Sequence, residues 1–417
     1  MKILWIVNLI PANLSSSLGV STDVLGGWVE SMAEELKKNA DIELTIACKC
    51  ENGECFDKFV DGIRYVSVAY TGATPLKEIE NKIRDIINDL KPDLVHIEGT
   101  EFLHALAAIN VCEEIKIPFV TSMQGILNGQ YNYQCGHLQV DDMLLSKDNF
   151  MSGLLLHLRK TRWYKKRLAH EKQVIEKSRN LLGRTTWDKA HSYTLNPRAR
   201  YYTCNRNLRA PFYETEWDIN KIERHSIYVG NGYYALKGVH FVVEALPQLI
   251  KEYPDIKVYV AGHKPFDEND KRSFIKKGYG VYLKNLIGKL GVAEHIDFTG
   301  PLKASQVAGK LSTVNAYVLC STIENSPNTL GEAMLVGTPC VAAYVGGVPD
   351  MAEDGKEALF YRSDDPSLLA WNIKRVFDDD NLALELSHNG KKRASITHNP
   401  SLNAEKLIEV YKDILKQ

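Results

Sequence analysis

Two glutamates, Glu324 and Glu332, flank the run Asn325-Ser-Pro-Asn-Thr-Leu-Gly331. Pro327 cannot continue a helix from its N-terminal side but suits a helix start, so the two carboxylates do not share a helical face. Ahead of them, Asn315-Ala-Tyr-Val-Leu-Cys320 is short and apolar enough for a buried parallel strand, and Cys340-Val-Ala-Ala343 reads as the next one. The order strand, polar loop, helix, strand puts Glu324 where the first strand ends and Glu332 in the first turn of the helix. Open parallel sheets take ligands beyond the carboxyl ends of their strands, and a helix N-terminus favours anions. The amides of Asn328, Thr329 and Leu330 are expected to face that space, where they can hold phosphate or hydroxyl oxygens. A plainer reading is open for each acid alone. Thr329-x-x-Glu332 is a capping-box pattern, and Glu324 can be a solvated loop carboxylate.

A second cation-bearing turn, Gly230-Asn-Gly-Tyr-Tyr-Ala-Leu-Lys-Gly238, follows the apolar run Ser226-Ile-Tyr-Val-Gly230. Lys237 is expected at the start of the next helix, a combination suited to a phosphate or diphosphate. Gly26 and Gly27, between the first strand and the first helix, allow close approach of backbone to a ligand. They do not form G-x-G-x-x-G, so a dinucleotide fingerprint is absent.

These residues need two scaffolds to hold them. At 417 residues the chain exceeds one ordinary core and suggests two domains. The hydrophobic share of 44% and charged share of 25% are those of a globular protein, and a formal net charge of -1 offers no field for nucleic acid. The apolar run at residues 3–10 is too short to span a bilayer and is read as a buried strand, and the location expected is the cytoplasm. Its 8 cysteines are scattered and fit free thiols in a reducing compartment.

Strand and helix signals alternate from the start, which predicts parallel α/β sheets. In the first half, strands are expected at residues 42–48, 63–68, 94–97, 118–123, 180–183 and 200–204, with helices at 28–36, 76–90 and 101–115. In the second half, strands are expected at 226–230, 257–261, 295–298, 316–320, 340–343 and 358–361. Helices near 239–249, 282–290, 304–311 and 366–377 separate them. Residues 125–153 show no period, and 154–168 form a basic run with Leu, Trp and Tyr among the charges. That run fits either a helix with a solvated basic face or a helix lying on an anionic membrane surface. The domain division expected is 1–208, a linker at 209–225, 226–398, and a C-terminal helix at 399–417 that crosses back to the first domain. Asp378-Asp379-Asp380 reads as a solvated acidic turn, and no catalytic metal is expected.

Taken together, Glu324-x7-Glu332, Lys237-Gly238 and Val345-Gly-Gly-Val-Pro-Asp350 make the chain resemble the retaining family-4 glycosyltransferases of GT-B fold. Gly26-Gly27, Val260-Ala-Gly262 and Phe298-Thr-Gly300 stand in the same order. The resemblance implies two facing Rossmann-like domains with parallel sheets and an appended C-terminal helix. It implies transfer of a sugar, with retention and without a metal or other cofactor, from a UDP- or GDP-sugar to a glycan or lipid-linked acceptor. Bacterial surface polysaccharide synthesis is the context it suggests, with the enzyme peripheral on the inner face of the membrane. Glu324 would face the donor sugar, Lys237 the diphosphate and Glu332 the ribose. Asn231, Asn325, Asn328, Thr329, Leu330, Gly26, Gly27 and Lys303 would complete the donor site, and Gln124, Glu98 and Glu101 would face the acceptor. The family's usual arginine six positions before the lysine is replaced by Asn231, and its usual histidine by Gln124 before Gly125. Two rival readings remain, a sugar-nucleotide epimerase of the same fold and a non-catalytic two-domain sugar-binding protein.

Overall fold

The computed structural model describes residues 1–19, 27–50, 55–139, 150–266 and 277–417; of residues 150–161 and 277 it describes the backbone only. Two compact units emerge. One is Met1–Gly129 with Tyr164–Arg209 and His398–Gln417, and the other is Gln130–Trp163 with Ala210–Thr397.

The first unit is built on eight strands: β1 (Lys2–Val7), β2 (Glu43–Cys50), β3 (Asp57–Val60), β4 (Ile63–Ala69), β5 (Leu94–Glu98), β6 (Phe119–Ser122), β7 (Asn180–Gly183) and β8 (Arg200–Thr203). They lie in the order β3-β4-β2-β1-β5-β6-β7-β8, parallel except for β3. Alternation in β1 explains its central place. Ile3, Trp5 and Val7 enter the apolar layer on one face, while Leu4 and Ile6 enter the layer on the other. The principal helices are α1 (Gly27–Leu36), α2 (Leu76–Leu90), α3 (Leu103–Ile115) and, from Tyr164 onward, α4 (Phe150–Lys177). In α2, Ile79, Ile83 and Ile87 recur every fourth residue and are buried, which fixes its inward face. The last helix, Pro400–Ile414, is capped by the Asn399 side chain accepting from Leu402 N and buries Leu407, Val410, Tyr411 and Ile414 beside Trp5. Each such burial contributes about 1.5–3 kcal/mol.

The second unit has six parallel strands: β9 (Glu223–Val229), β10 (Lys257–Ala261), β11 (Ile296–Gly300), β12 (Val314–Leu319), β13 (Cys340–Ala343) and β14 (Leu359–Tyr361). Their order is β11-β10-β9-β12-β13-β14, the doubly wound Rossmann arrangement, with its switch point between β9 and β12. The helices that matter for the site are α5 (Val239–Glu252), α6 (Asn328–Val336) and α7 (Pro366–Asp378).

The fold class is thus two Rossmann-like α/β units with a helical C-terminus. Helices over Ala12–Leu18 and Thr186–Leu195 stand where none was expected, and three further elements depart from the sequence reading. Strand β3 is antiparallel and mostly exposed, so it carries no apolar run to betray it. A helix over Asp380–Thr397 begins directly after α7, where the acidic triplet reads as a turn. There Asp378 accepts from Lys374 and Asp380 pairs with Arg224. Residues 130–139, expected with the first domain, join the second unit. His240 Nε2 donates to Gly136 O at 2.9 Å, and Thr322 Oγ1 donates to Tyr133 O at 3.2 Å.

Candidate functional site

In the second unit, two loops meet at the switch point. The loop after β9 carries Asn231 and ends in a short 3-10 turn, Ala235–Lys237, followed by Gly238 in the left-handed region at φ 70°. The loop after β12 carries Glu324 and ends at Pro327, where α6 begins. The backbones are stitched together, since Thr322 N donates to Leu236 O at 2.8 Å. Lys237 Nζ donates to Glu324 Oε1 at 2.5 Å, with the side chains 21% and 12% exposed. Burial works against the ammonium charge, but the Glu324 carboxylate outweighs it and holds Lys237 above its ordinary pKa. A cation and an anion in contact thus stand beyond the carboxyl ends of adjacent strands.

The loop holding Glu324 is itself shaped by the glycine turn after β13. Gly347 N donates to Glu324 O at 3.0 Å, and Gly346 sits at φ 52° with no room for a side chain. A Cβ there would fall 1.9 Å from Glu324 O.

Other predicted residues are placed less simply. Helix α6 begins at Asn328, so Glu332 lies in its second turn rather than the first, and Thr329 lies inside the helix. The expected capping box is therefore not formed. Thr329 Oγ1 instead accepts from Tyr317 Oη at 2.9 Å. The Leu330 amide is not open to a ligand, because it donates to Pro327 O at 3.1 Å. Asn325 and Glu332 are both buried at 3% exposure. Asn231 Oδ1 accepts from Tyr233 N at 3.0 Å, closing its own turn. Lys303 is exposed and precedes the helix Ala304–Thr313.

In the first unit, Glu98 ends β5 and receives Arg206 Nη2 at 3.0 Å. Gln124 follows β6, with its Nε2 on Asn8 Oδ1 at 3.1 Å and its carbonyl accepting from Arg184 Nη2 at 2.8 Å. Glu101 precedes α3 and meets Arg167 at 3.3 Å; burial pushes its carboxyl up to about 7. Thr100 does not cap α3. Its hydroxyl donates to Glu171, a fully buried carboxylate that also receives the amides of Leu127 and Asn128. Gly27 opens α1 with Arg209 packed against it, where a Cβ would lie 2.7 Å from Arg209 Cγ. Gly26 lies outside the described residues.

Sequence reasoning missed Arg206 and His96, which join Glu98 in the first unit, and Tyr133, which supports Thr322. Arg206 follows β8 without a motif, and His96 sits inside an apolar strand, so neither has a local signal. Among the described residues, no group of His, Cys, Asp and Glu is arranged to hold a metal ion, and no helix is long and apolar enough to cross a membrane.

Residues 211–393 match the family model of glycosyl transferases group 1. D-inositol 3-phosphate glycosyltransferase of Corynebacterium urealyticum is 25% identical over 181 residues, which is 43% of this chain and 41% of the relative. The chain matches a little under half the length of its curated relatives. Among solved structures, sucrose-phosphate synthase from Thermosynechococcus elongatus superposes with TM-score 0.73 at 16% identity, covering 100% of this chain and 99% of the other. Anabaena HepE in complex with UDP-glucose gives TM-score 0.68 at 16% identity over 99% of this chain and 100% of that one. At such identities the likeness establishes the fold, which is GT-B.

Proposed function

From the match of its second unit to the glycosyl transferases group 1 family, we propose that this chain is a retaining, metal-independent hexosyltransferase. It moves a sugar from a UDP- or GDP-sugar to a glycan or lipid-linked acceptor. The observation that carries the reading is the Lys237–Glu324 pair at the switch point of the second sheet. Breaking the sugar–phosphate bond leaves a positive anomeric carbon and a diphosphate anion. A fixed ammonium aimed at that anion stabilises the transition state more than the ground state. Lys237 takes this role, and Glu324, released from Lys237 as the diphosphate enters, faces the sugar and its developing positive charge. Glu332 holds the ribose hydroxyls. Asn328 and Thr329, in the first turn of α6, hold oxygens of the donor.

The acceptor attacks from the face the diphosphate leaves, so no side-chain base is assigned. HepE bound to UDP-glucose supports a nucleotide sugar as the donor class. Peripheral attachment to an anionic membrane through residues 154–168, and a place in surface polysaccharide synthesis, belong to the same proposal.

The test is a thermal-shift panel of nucleotides and nucleotide sugars, followed by transfer from the best donor with the product's anomeric configuration read by NMR. A shift with UDP or GDP sugars and a product of retained configuration are expected. Absence of any nucleotide shift ends the proposal.

A further inference from the structure

Within the first unit, a partly open cavity lies beneath the carboxyl ends of β5, β6 and β7, lined by His96, Glu98, Ser122, Arg184, Arg206 and Trp28 among others. A bond chain fixes what His96 presents to it. Trp5 Nε1 can only donate, and it donates to Tyr411 Oη at 2.8 Å. The tyrosine's one proton therefore goes to His96 Nδ1, 2.6 Å away. Burial holds the imidazole neutral, pushing its pKa down to about 3. A neutral ring that accepts at Nδ1 must carry its proton on Nε2. Among the described residues that N–H has no hydrogen-bond partner, and neither has the buried Nε of Arg184. Glu98 Oε1 stands 3.4 Å from His96 Nε2 but out of hydrogen-bond alignment.

Two guanidiniums, Arg184 and Arg206, line the cavity with one carboxylate, Glu98, which Arg206 already engages while stacked 3.4 Å above Trp28. Asp188, buried beside Arg184, favours the guanidinium's charge without lining the cavity, and it accepts from Tyr201 Oη and from the amides of Arg184 and Thr185. Unmatched buried donors are unfavourable, and an incoming anion that accepts from them relieves the penalty.

We propose that this cavity binds a carboxylate or phosphate borne by the sugar-accepting molecule. This rests on the transfer reading above and narrows its acceptor to an acidic or phosphorylated one. Size agrees. The enclosed room of about 20 Å³ admits the tip of a ligand and not a sugar ring, while about 390 Å³ of void, its open mouth included, surrounds it.

The experiment is calorimetric titration of the full chain with glucuronate, glucose 6-phosphate and glucose. At least one charged sugar should bind ten-fold or more tightly than glucose, and which one does so separates carboxylate from phosphate. Arg184→Gln should reduce that affinity to the level of glucose, while Lys237→Ala should leave it in place, which excludes capture at the second unit's lysine. Equal or absent binding of all three by the wild type would mean the cavity holds only solvent and would overturn the inference, whether or not the variants fold. A nucleotide shift in the same preparation keeps that outcome separate from failure of the transfer reading.

Discussion

A Cβ placed on Gly238 would lie 1.8 Å from the carbonyl oxygen of Cys320. The lysine turn and the end of β12 therefore touch backbone to backbone, and Cys320 Sγ adds a contact to Lys237 O at 3.1 Å. Gly238→Ala should separate the two loops. The left-handed φ costs about 1–2 kcal/mol by itself, and the clash adds to it. Chemical denaturation should show a loss above about 2 kcal/mol, together with a fall in nucleotide affinity.

Lys237 and Glu324 form a part-buried pair, so each single alanine substitution leaves a charge without its partner. Lys237→Ala and Glu324→Ala should each abolish transfer and lower stability by about 1–3 kcal/mol. The double variant Lys237→Met, Glu324→Gln should recover much of the stability and none of the turnover. Recovery of turnover would reduce the pair to a structural bridge. Glu332→Ala should chiefly raise the nucleotide Kd.

Tyr411 serves two buried partners, Trp5 and His96. Tyr411→Phe keeps the ring and leaves an orphaned donor and an orphaned acceptor, at about 1–3 kcal/mol each. Urea denaturation followed by tryptophan fluorescence should record the loss. A change below about 0.5 kcal/mol would contradict the bond chain.

Burial holds His96 near 3 and His104, His240 and His398 near 4, all below the ordinary 6.5. In the unfolded chain these groups take up protons first. Their contribution is complete above about pH 6.5 and is lost as pH falls toward 4, by up to about 1.4 kcal/mol per pH unit for each. Glu101, raised to about 7, acts in the opposite sense, adding stability as pH falls from 7 toward its ordinary 4.5, and the raised Glu98 joins it. With His170 and His191 also lowered by burial and Glu30 and Glu244 also raised by it, six histidines stand against four acids and leave a net loss. The thermal midpoint should fall steadily between pH 6.5 and 4, and a flat profile would refute these assignments.

Arg162, Trp163, Lys165 and Lys166 are exposed on α4, whereas Arg167 is engaged by Glu101. Lys165→Gln with Lys166→Gln should reduce binding to anionic liposomes by about 30-fold, since each basic residue near such a surface contributes about 1 kcal/mol. Unchanged binding would leave α4 a solvated helix.

The sequence by itself determined the alternation of buried strands and amphipathic helices, because apolar periodicity is local. It determined the glutamate–lysine signature too, because Pro327, Gly238 and the Gly346-Gly347 turn restrict backbone over a few residues. Tertiary structure decided what depends on distant partners. It set Lys237 against Glu324, placed Glu332 a turn deeper in α6, and engaged the Leu330 amide with Pro327. It also drew residues 130–139 to the second unit through His240 and Thr322, and gathered His96, Glu98, Arg184 and Arg206 from three separate stretches around one cavity. A buried charge or hydrogen bond takes its meaning from a neighbour up to hundreds of residues away, and no spacing along the chain records which neighbour that is.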